Sequence, residues 1–412
     1  MKIMQNQLID GGVTAPKGFL AASTAAGIKK NGGKDMAMLY STCTCRAAGT
    51  FTTNVVKAAP VLWDQELVSR QSGVQALVCN SGIANACTGA EGMDACRETA
   101  LEAAQALKIP TDSVLVASTG VIGQPLPMDC IKTGIHQMAD TLSDSREASR
   151  MAAQAIMTTD TVKKEAAVSI ILGGKTVHIG GMCKGSGMIH PNMCTMLSFV
   201  TTDACISGEL LQKALSLAVE DTYNMISVDG DTSTNDTVLL LSSGLAENPE
   251  ITEENQDYQT FLEALLFVNE TLAKSIAADG EGCTALFEVT VKGAAQKQQA
   301  AVLARSVVSS SLTKAALYGH DANWGRILCA MGYSGADFDP DKVDLFIESA
   351  AGKLQLTENG RALPYSEETA TRILSEKTVT AVADLKQGNA HATAWGCDLT
   401  HKYVDINADY RS

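Results

Sequence analysis

Residues Gln75-Ala-Leu-Val-Cys79 form a short apolar run that stops at Asn80-Ser-Gly-Ile-Ala-Asn-Ala-Cys-Thr-Gly89 and gives way, from Ala90 to Leu107, to apolar side chains at helical spacing. An apolar run bounded by residues that bond their own backbone reads as a buried strand running into a polar loop. The arrangement begins again at once, because Ser113-Val-Leu-Val-Ala117 is a second apolar run, broken at Ser118-Thr119-Gly120. Strand, loop and helix in alternation predict an α/β fold. Upstream, Gly11 to Val61 reads as short strands and turns, with Asp35 to Tyr40 and Gly49 to Asn54 the clearest. Downstream, Asp144 to Met157 reads as a helix with Asp144 as its cap. Val168 to Leu172 and Thr176 to Ile179 form a hairpin through Gly173-Gly174-Lys175.

Beyond Thr202 the pattern predicts helices over Gly208–Ile226, Phe261–Ala277, Ala294–Ser310 and Glu367–Leu374. Strands are expected at Val238–Leu241, Ala285–Val291 and Val343–Ile347. The chain has 412 residues, 45% hydrophobic and 19% charged, which suits an enzyme-sized ordered protein. Its net charge of -14 and pI near 4.9 repel phosphate backbones and anionic lipid, so neither nucleic acid nor membrane is an expected partner. Without an apolar leader or an 18-residue apolar stretch the expectation is a cytoplasmic protein, whose twelve scattered cysteines stay reduced.

Familiar catalytic signatures are absent. No His-Glu-x-x-His or Cys-x-x-Cys occurs, so no metal is expected, and neither a nucleophile elbow nor a dinucleotide-binding glycine fingerprint is present, so no cofactor is expected. What stands out is Gly180-Gly-Met-Cys-Lys-Gly-Ser-Gly-Met-Ile-His-Pro-Asn-Met-Cys-Thr-Met-Leu-Ser-Phe-Val200, dense in glycine and ending at a hydroxyl before an apolar run. Such a segment can be held strained, and a strained peptide before Thr195 is what attack by a hydroxyl on its own amide needs. The product is a free N-terminal threonine carrying both nucleophile and base, since an α-amine titrates near ~7.7 to 8.0. The plain alternative is a glycine-rich turn entering a strand.

Lys184-Gly-Ser-Gly-Met-Ile-His-Pro-Asn-Met-Cys-Thr-Met-Leu197 resembles the cleavage motif of the ornithine acetyltransferase, or glutamate N-acetyltransferase, family. Gly12 to Phe19, Ala58-Ala-Pro-Val61, Asn80 to Gly89, Asp229-Gly-Asp-Thr-Ser-Thr-Asn-Asp236 and Asn323-Trp-Gly-Arg326 extend the likeness, in order, along the whole chain. The resemblance implies a layered α/β fold of the N-terminal-nucleophile type, cut after Cys194 into an α chain of residues 1–194 and a β chain of residues 195–412. It makes Thr195 the nucleophile, and Thr119 with Gly120 the pair that binds the oxyanion of an attacked acetyl group. Thr158, Lys184, Thr195, Glu281, Asn407 and Ser412 become substrate contacts, with Lys184 suited to a carboxylate, Glu281 to an amine and the others to neutral hydrogen bonds.

The reaction so implied is ping-pong transfer of acetyl from N-acetylornithine to glutamate, with acetyl-CoA left open as a further donor because members differ. Two copies of each fragment in a heterotetramer are the implied assembly. Family members often carry alanine before the break and threonine at the chain end, where this sequence has Cys194 and Ser412. Cys194 invites a reactive thiol as a rival reading, which the family pattern turns into a packing residue. Two other rivals stand: a self-processing aminopeptidase or amidase that accepts water, and a binding protein that is never cut.

Overall fold

The computed structural model describes residues 7–190 and 196–408, and they form two β-sheets with helices between and outside them. The expected α/β class is what the chain adopts. The first sheet takes β1 (Phe19–Thr24), β2 (Met36–Phe51), β3 (Val74–Ile83), β4 (Val114–Val121), β5 (Lys164–Leu172), β6 (Lys175–Lys184), β7 (Leu197–Thr202) and β9 (Thr237–Ser242). Its order is β4-β3-β2-β9-β7-β6-β5, with β1 paired to β2. The second sheet takes β8 (Ile226–Ser227), β10 (Leu286–Ala294), β11 (Asp344–Ser349), β12 (Gly352–Glu358), β13 (Arg361–Ala362), β14 (Thr378–Asp384) and β15 (Ala390–Cys397), in the order β13-β12-β11-β14-β10-β15-β8.

The helices are α1 (Ala59–Arg70), α2 (Gly89–Leu107), α3 (Met128–Ala139), α4 (Arg146–Ala155), α5 (Gly208–Asp221), α6 (Gln256–Ala278), α7 (Lys297–Ser309), α8 (Ser311–Tyr318), α9 (Trp324–Gly332), α10 (Glu367–Leu374) and α11 (His401–Ala408). Helix α6 lies between the sheets, and this explains its composition: Phe261, Leu265, Val268, Leu272 and Ile276 are fully buried in one core that runs from β5 and β6 to β10 and β15. Burying each such side chain stabilises by ~1.5 to 3 kcal/mol. Asn255 caps α6 by accepting from the Tyr258 N–H at 3.1 Å, so the helix begins five residues before the expected Phe261. Its far end delivers Asp279-Gly280-Glu281 to the edge of the first sheet.

Several expectations need correction. Thr119 and Gly120 are not a turn; they continue β4 in parallel pairing with Ser81 and Gly82 of β3, so the presumed loop at Asn80 is strand as far as Ile83. The two strands expected at Asp35 to Tyr40 and Gly49 to Asn54 are one 16-residue β2, whose register shifts between Tyr40 and Cys45 as it passes from β3 to β9, while β1 is a short strand of its own. Ser145, not Asp144, caps α4, accepting from the Ala148 N–H. The helix from Gly208 stops at Asp221, because Thr222 leaves helical geometry and Tyr223–Met225 is a 3-10 turn into β8. Ala294 ends β10, and α7 starts only at Lys297. The hairpin is found with a two-residue turn: Gly173 and Gly174 both have positive φ, as a type I′ turn requires, and Lys175 already pairs with Leu172.

The two lengths 1–194 and 195–412 are not separate bodies. Strands β7 and β9 sit between β2 and β6 in the first sheet, while all of the second sheet comes from the later length. Among the described residues no helix is long and apolar enough to cross a membrane.

Candidate active site

The cleft opens where β3 and β4 end beside the start of β7. Gly120 has φ +132, and a Cβ there would lie 2.2 Å from the Gly82 carbonyl carbon, so only glycine lets the strands approach this closely. Asn235 fixes this edge from across the cleft, its amide donating to the Ala84 carbonyl at 2.6 Å and the Ser118 carbonyl at 2.8 Å. Ser118 in turn donates to Asn80 Oδ1 at 2.6 Å, and Asn80 to the Ile83 carbonyl. The bonded shell leaves Thr119 nearly buried with its hydroxyl accepting from Lys184 Nζ at 3.4 Å.

Lys184 ends β6, and Gly185 to His190 then run along the cleft floor. Asp229 holds this run by accepting from the Met188 N–H at 2.6 Å and the Ile189 N–H at 2.8 Å, while the Thr232 hydroxyl donates to the His190 carbonyl. Met188 is left at φ +55, a conformation unusual for a side-chain-bearing residue. Met196, just before β7, has a carbonyl that accepts from the Thr237 N–H at 2.9 Å. Asp236, beside it, is buried, and burial pushes its carboxyl well above the usual range although Lys184, Ser233 and the Met196 N–H pull the other way.

Glu281 closes the opposite wall. Its Oε2 accepts from Asn407 Nδ2 of α11 at 2.7 Å, and its backbone N–H donates to the Ser186 carbonyl at 2.9 Å. Tyr403, one turn earlier on α11, donates to Asp229 Oδ2 at 3.3 Å, so the last helix is tied to both sides of the cleft. The cleft, with a cavity of roughly 130 Å³, is faced by Thr119, Gly120, Thr158, Lys184, Glu281 and Asn407 together with Met196. Six of the residues marked in the sequence are thus brought together from five segments distant along the chain. Cys194, Thr195 and Ser412 lie outside the described residues.

Sequence reasoning gave no individual role to Asn235 and Asp236, which also face the cleft, to Asp229, or to a buried cluster of Asp160, Lys164 and Asp279 behind it. The signal for the first three was present, since they belong to the polar run Asp229 to Asp236 that precedes an apolar strand. Among the described residues no group of three or more His, Cys, Asp and Glu side chains is placed to hold a metal ion, and the eleven cysteines described are free thiols.

A cleft faced by an ammonium, a carboxylate and hydroxyl groups drawn from separate segments of the chain has the make-up of an enzyme's active site. The model described as the ArgJ family matches residues 20–412, and the chain belongs to that family. It is 51% identical over 398 residues to a protein of Thermotoga neapolitana, covering 96% of this chain and 99% of that one. To a protein of Symbiobacterium thermophilum it is 54% identical, covering 98% and 99%. Both bear the name arginine biosynthesis bifunctional protein ArgJ. The crystal structure of the protein of that name from Bacillus halodurans is 50% identical with a TM-score of 0.50, covering 52% of this chain and 99% of the solved one.

Proposed function

We propose that this enzyme of arginine biosynthesis transfers the acetyl group of N2-acetyl-L-ornithine to L-glutamate through an acetyl ester on Thr195. The observation that carries the reading is that Met196, the residue after Thr195, lies in the wall of the same cleft as Thr119, Gly120, Lys184, Glu281 and Asn407. Breaking the bond after Cys194 frees the Thr195 amine, which accepts the hydroxyl proton as Oγ attacks the acetyl carbonyl. The tetrahedral oxyanion is stabilised by Thr119 and Gly120, then collapses; the amine returns the proton and ornithine leaves. Glutamate attacks the ester by its amine, giving N-acetylglutamate and free Thr195.

The electrostatics of the cleft favour such substrates, because Lys184 can hold the α-carboxylate and Glu281 the side-chain ammonium of ornithine. Both relatives are named bifunctional, which supports acetyl-CoA as a second donor to glutamate. The solved relative supports the break: its chain is matched over 99% of its length by 52% of this one, about the share that 195–412 makes up. Residues 1–194 and 195–412 then act as α and β chains of a cytoplasmic enzyme, paired as a heterotetramer, with Ser412 completing the substrate contacts.

Intact mass and an acetyl-transfer assay on wild type and Thr195→Ala test this together. The expected result is two pieces and activity with N-acetylornithine for wild type, and one full-length inactive chain for the variant. Activity in an uncut wild type, or an active alanine variant, overturns the reading.

A further inference from the structure

Behind the cleft, away from solvent, Lys164 at the start of β5 sits between two carboxylates. Its Nζ lies 2.7 Å from Asp160 Oδ1 and 2.6 Å from Asp279 Oδ2, with side-chain exposures of 0%, 0% and 7% for Lys164, Asp160 and Asp279. Each carboxylate has a second set of partners. Asp160 accepts from the Thr158 N–H at 3.0 Å and the Gly185 N–H at 2.7 Å. Asp279 accepts from the Thr161 N–H at 3.0 Å and from the Thr161 hydroxyl, and its carbonyl takes the Ser186 hydroxyl at 2.7 Å.

One ammonium therefore ties together three pieces of chain: the 158–161 turn carrying Thr158, the end of β6 carrying Lys184, and the end of α6 carrying Glu281. Stability alone gives no reason for such a cluster. Removing three ionic groups from water is costly, and a well-packed apolar trio commonly holds a fold as well or better. What an apolar trio lacks is direction, since hydrogen bonds to the Thr158 and Gly185 N–H groups set where those backbones stand and packing does not.

We propose that Lys164 is a positioning residue for substrate recognition, setting through Asp160 and Asp279 the distances between Thr158, Lys184 and Glu281 across the cleft. The inference rests on the reading of this cleft as the N-acetylornithine site. Without the ammonium between them the two carboxylates face each other, with Lys184 the remaining cation acting on Asp160, and the segments they hold move apart. Thr119 and Gly120 ride on β4, which none of the three ionic groups bonds and which this cluster reaches only through the 3.4 Å contact of Lys184 Nζ with the Thr119 hydroxyl, so recognition weakens more than the acetyl chemistry.

The experiment compares Lys164→Met, Lys164→Arg and Asp279→Asn with wild type in full-length protein, measuring kcat and KM for N-acetylornithine and ornithine binding by calorimetry. Lys164→Met is expected to raise KM and weaken ornithine binding by about tenfold or more while kcat stays within about threefold. Lys164→Arg, which keeps the charge, restores part of the loss. Asp279→Asn keeps the Lys164–Asp160 pair and shifts KM in the same direction, so it decides the matter if Lys164→Met does not fold. With wild type active, a KM within about twofold of wild type in a folded variant, or a fall confined to kcat, overturns the positioning role alone. A wild type that neither transfers acetyl from N-acetylornithine nor binds ornithine overturns the underlying reading, and this inference with it.

Discussion

Gly187 and Glu281 are fitted to each other: a Cβ at Gly187 would fall 2.4 Å from the carboxyl carbon of Glu281 and from both of its oxygens. The obstruction is the end of a flexible side chain, so Gly187→Ala should fold, with the carboxylate pushed off Asn407. We expect KM for N-acetylornithine to rise about tenfold with a melting temperature within a few degrees of wild type. Steady-state kinetics and a thermal melt check this; an unchanged KM would mean that Glu281 does not contact the substrate.

Thr119 and Gly120 should respond in different currencies. Thr119→Ala leaves the strand intact and, on the proposed mechanism, removes a donor at the developing oxyanion, so kcat should fall by about 10² to 10³ with little change in unfolding midpoint. Gly120→Ala brings a methyl against the backbone of Gly82 in a conformation that L residues rarely adopt, so β4 must part from β3. A loss of about 3 kcal/mol in denaturant unfolding, or failure to accumulate soluble protein, is expected. Equal stability for the two variants would contradict the pairing described.

Asp160 predicts an acid-labile contribution. Burial pushes its carboxyl up, but Lys184, Lys164 and the Gly185 N–H outweigh this and hold it at about 2. A carboxyl depressed in the folded state stabilises fully above its unfolded value near ~4 and loses that contribution as pH falls toward the folded value. About 2 kcal/mol should disappear between roughly pH 5 and pH 2. Urea unfolding across that range should be steeper in pH for wild type than for Asp160→Asn; parallel curves would remove Asp160 from the account.

If the chain is cut after Cys194, the pieces should not separate under native conditions. Strand β7 pairs with β6 from Ile179↔Thr202 to Lys184↔Leu197, and β9 with β2 from Arg46↔Ser242 to Phe51↔Thr237. Size-exclusion chromatography should give one peak containing both pieces, resolving into two only in denaturant. Separate elution in buffer would be incompatible with this sheet order.

Much of the fold was legible where burial is one-sided or complete. The β5–β6 hairpin, the strands around Leu77 and Leu115, and the inner face of α6 all follow from apolar spacing and glycine pairs. Legibility failed where tertiary contacts override local signals. Gly120 looks like punctuation, yet it continues a strand because Gly82 beside it leaves room. The length of β2 is hidden by Ser41 to Cys45, where the strand changes partners. The site itself was readable only through motif likeness, since its residues come from separate segments and no single spacing joins them. Lys164 escaped notice because a lysine after Thr161-Val-Lys163 looks like one more solvated charge until Asp279, more than a hundred positions away, arrives beside it.

The interleaving of β7 and β9 between β2 and β6 bears on when the proposed cut would have to occur. Two central strands of the first sheet belong to the later part of the chain, so neither 1–194 nor 195–412 has its own complete set of hydrogen-bonding neighbours. Encoding the halves as independent genes would ask each to wait with open sheet edges, a state prone to aggregation. If the chain is cut after Cys194 as proposed, a single continuous polypeptide, assembled first and severed afterwards, avoids that hazard and makes the cut a report that folding is complete.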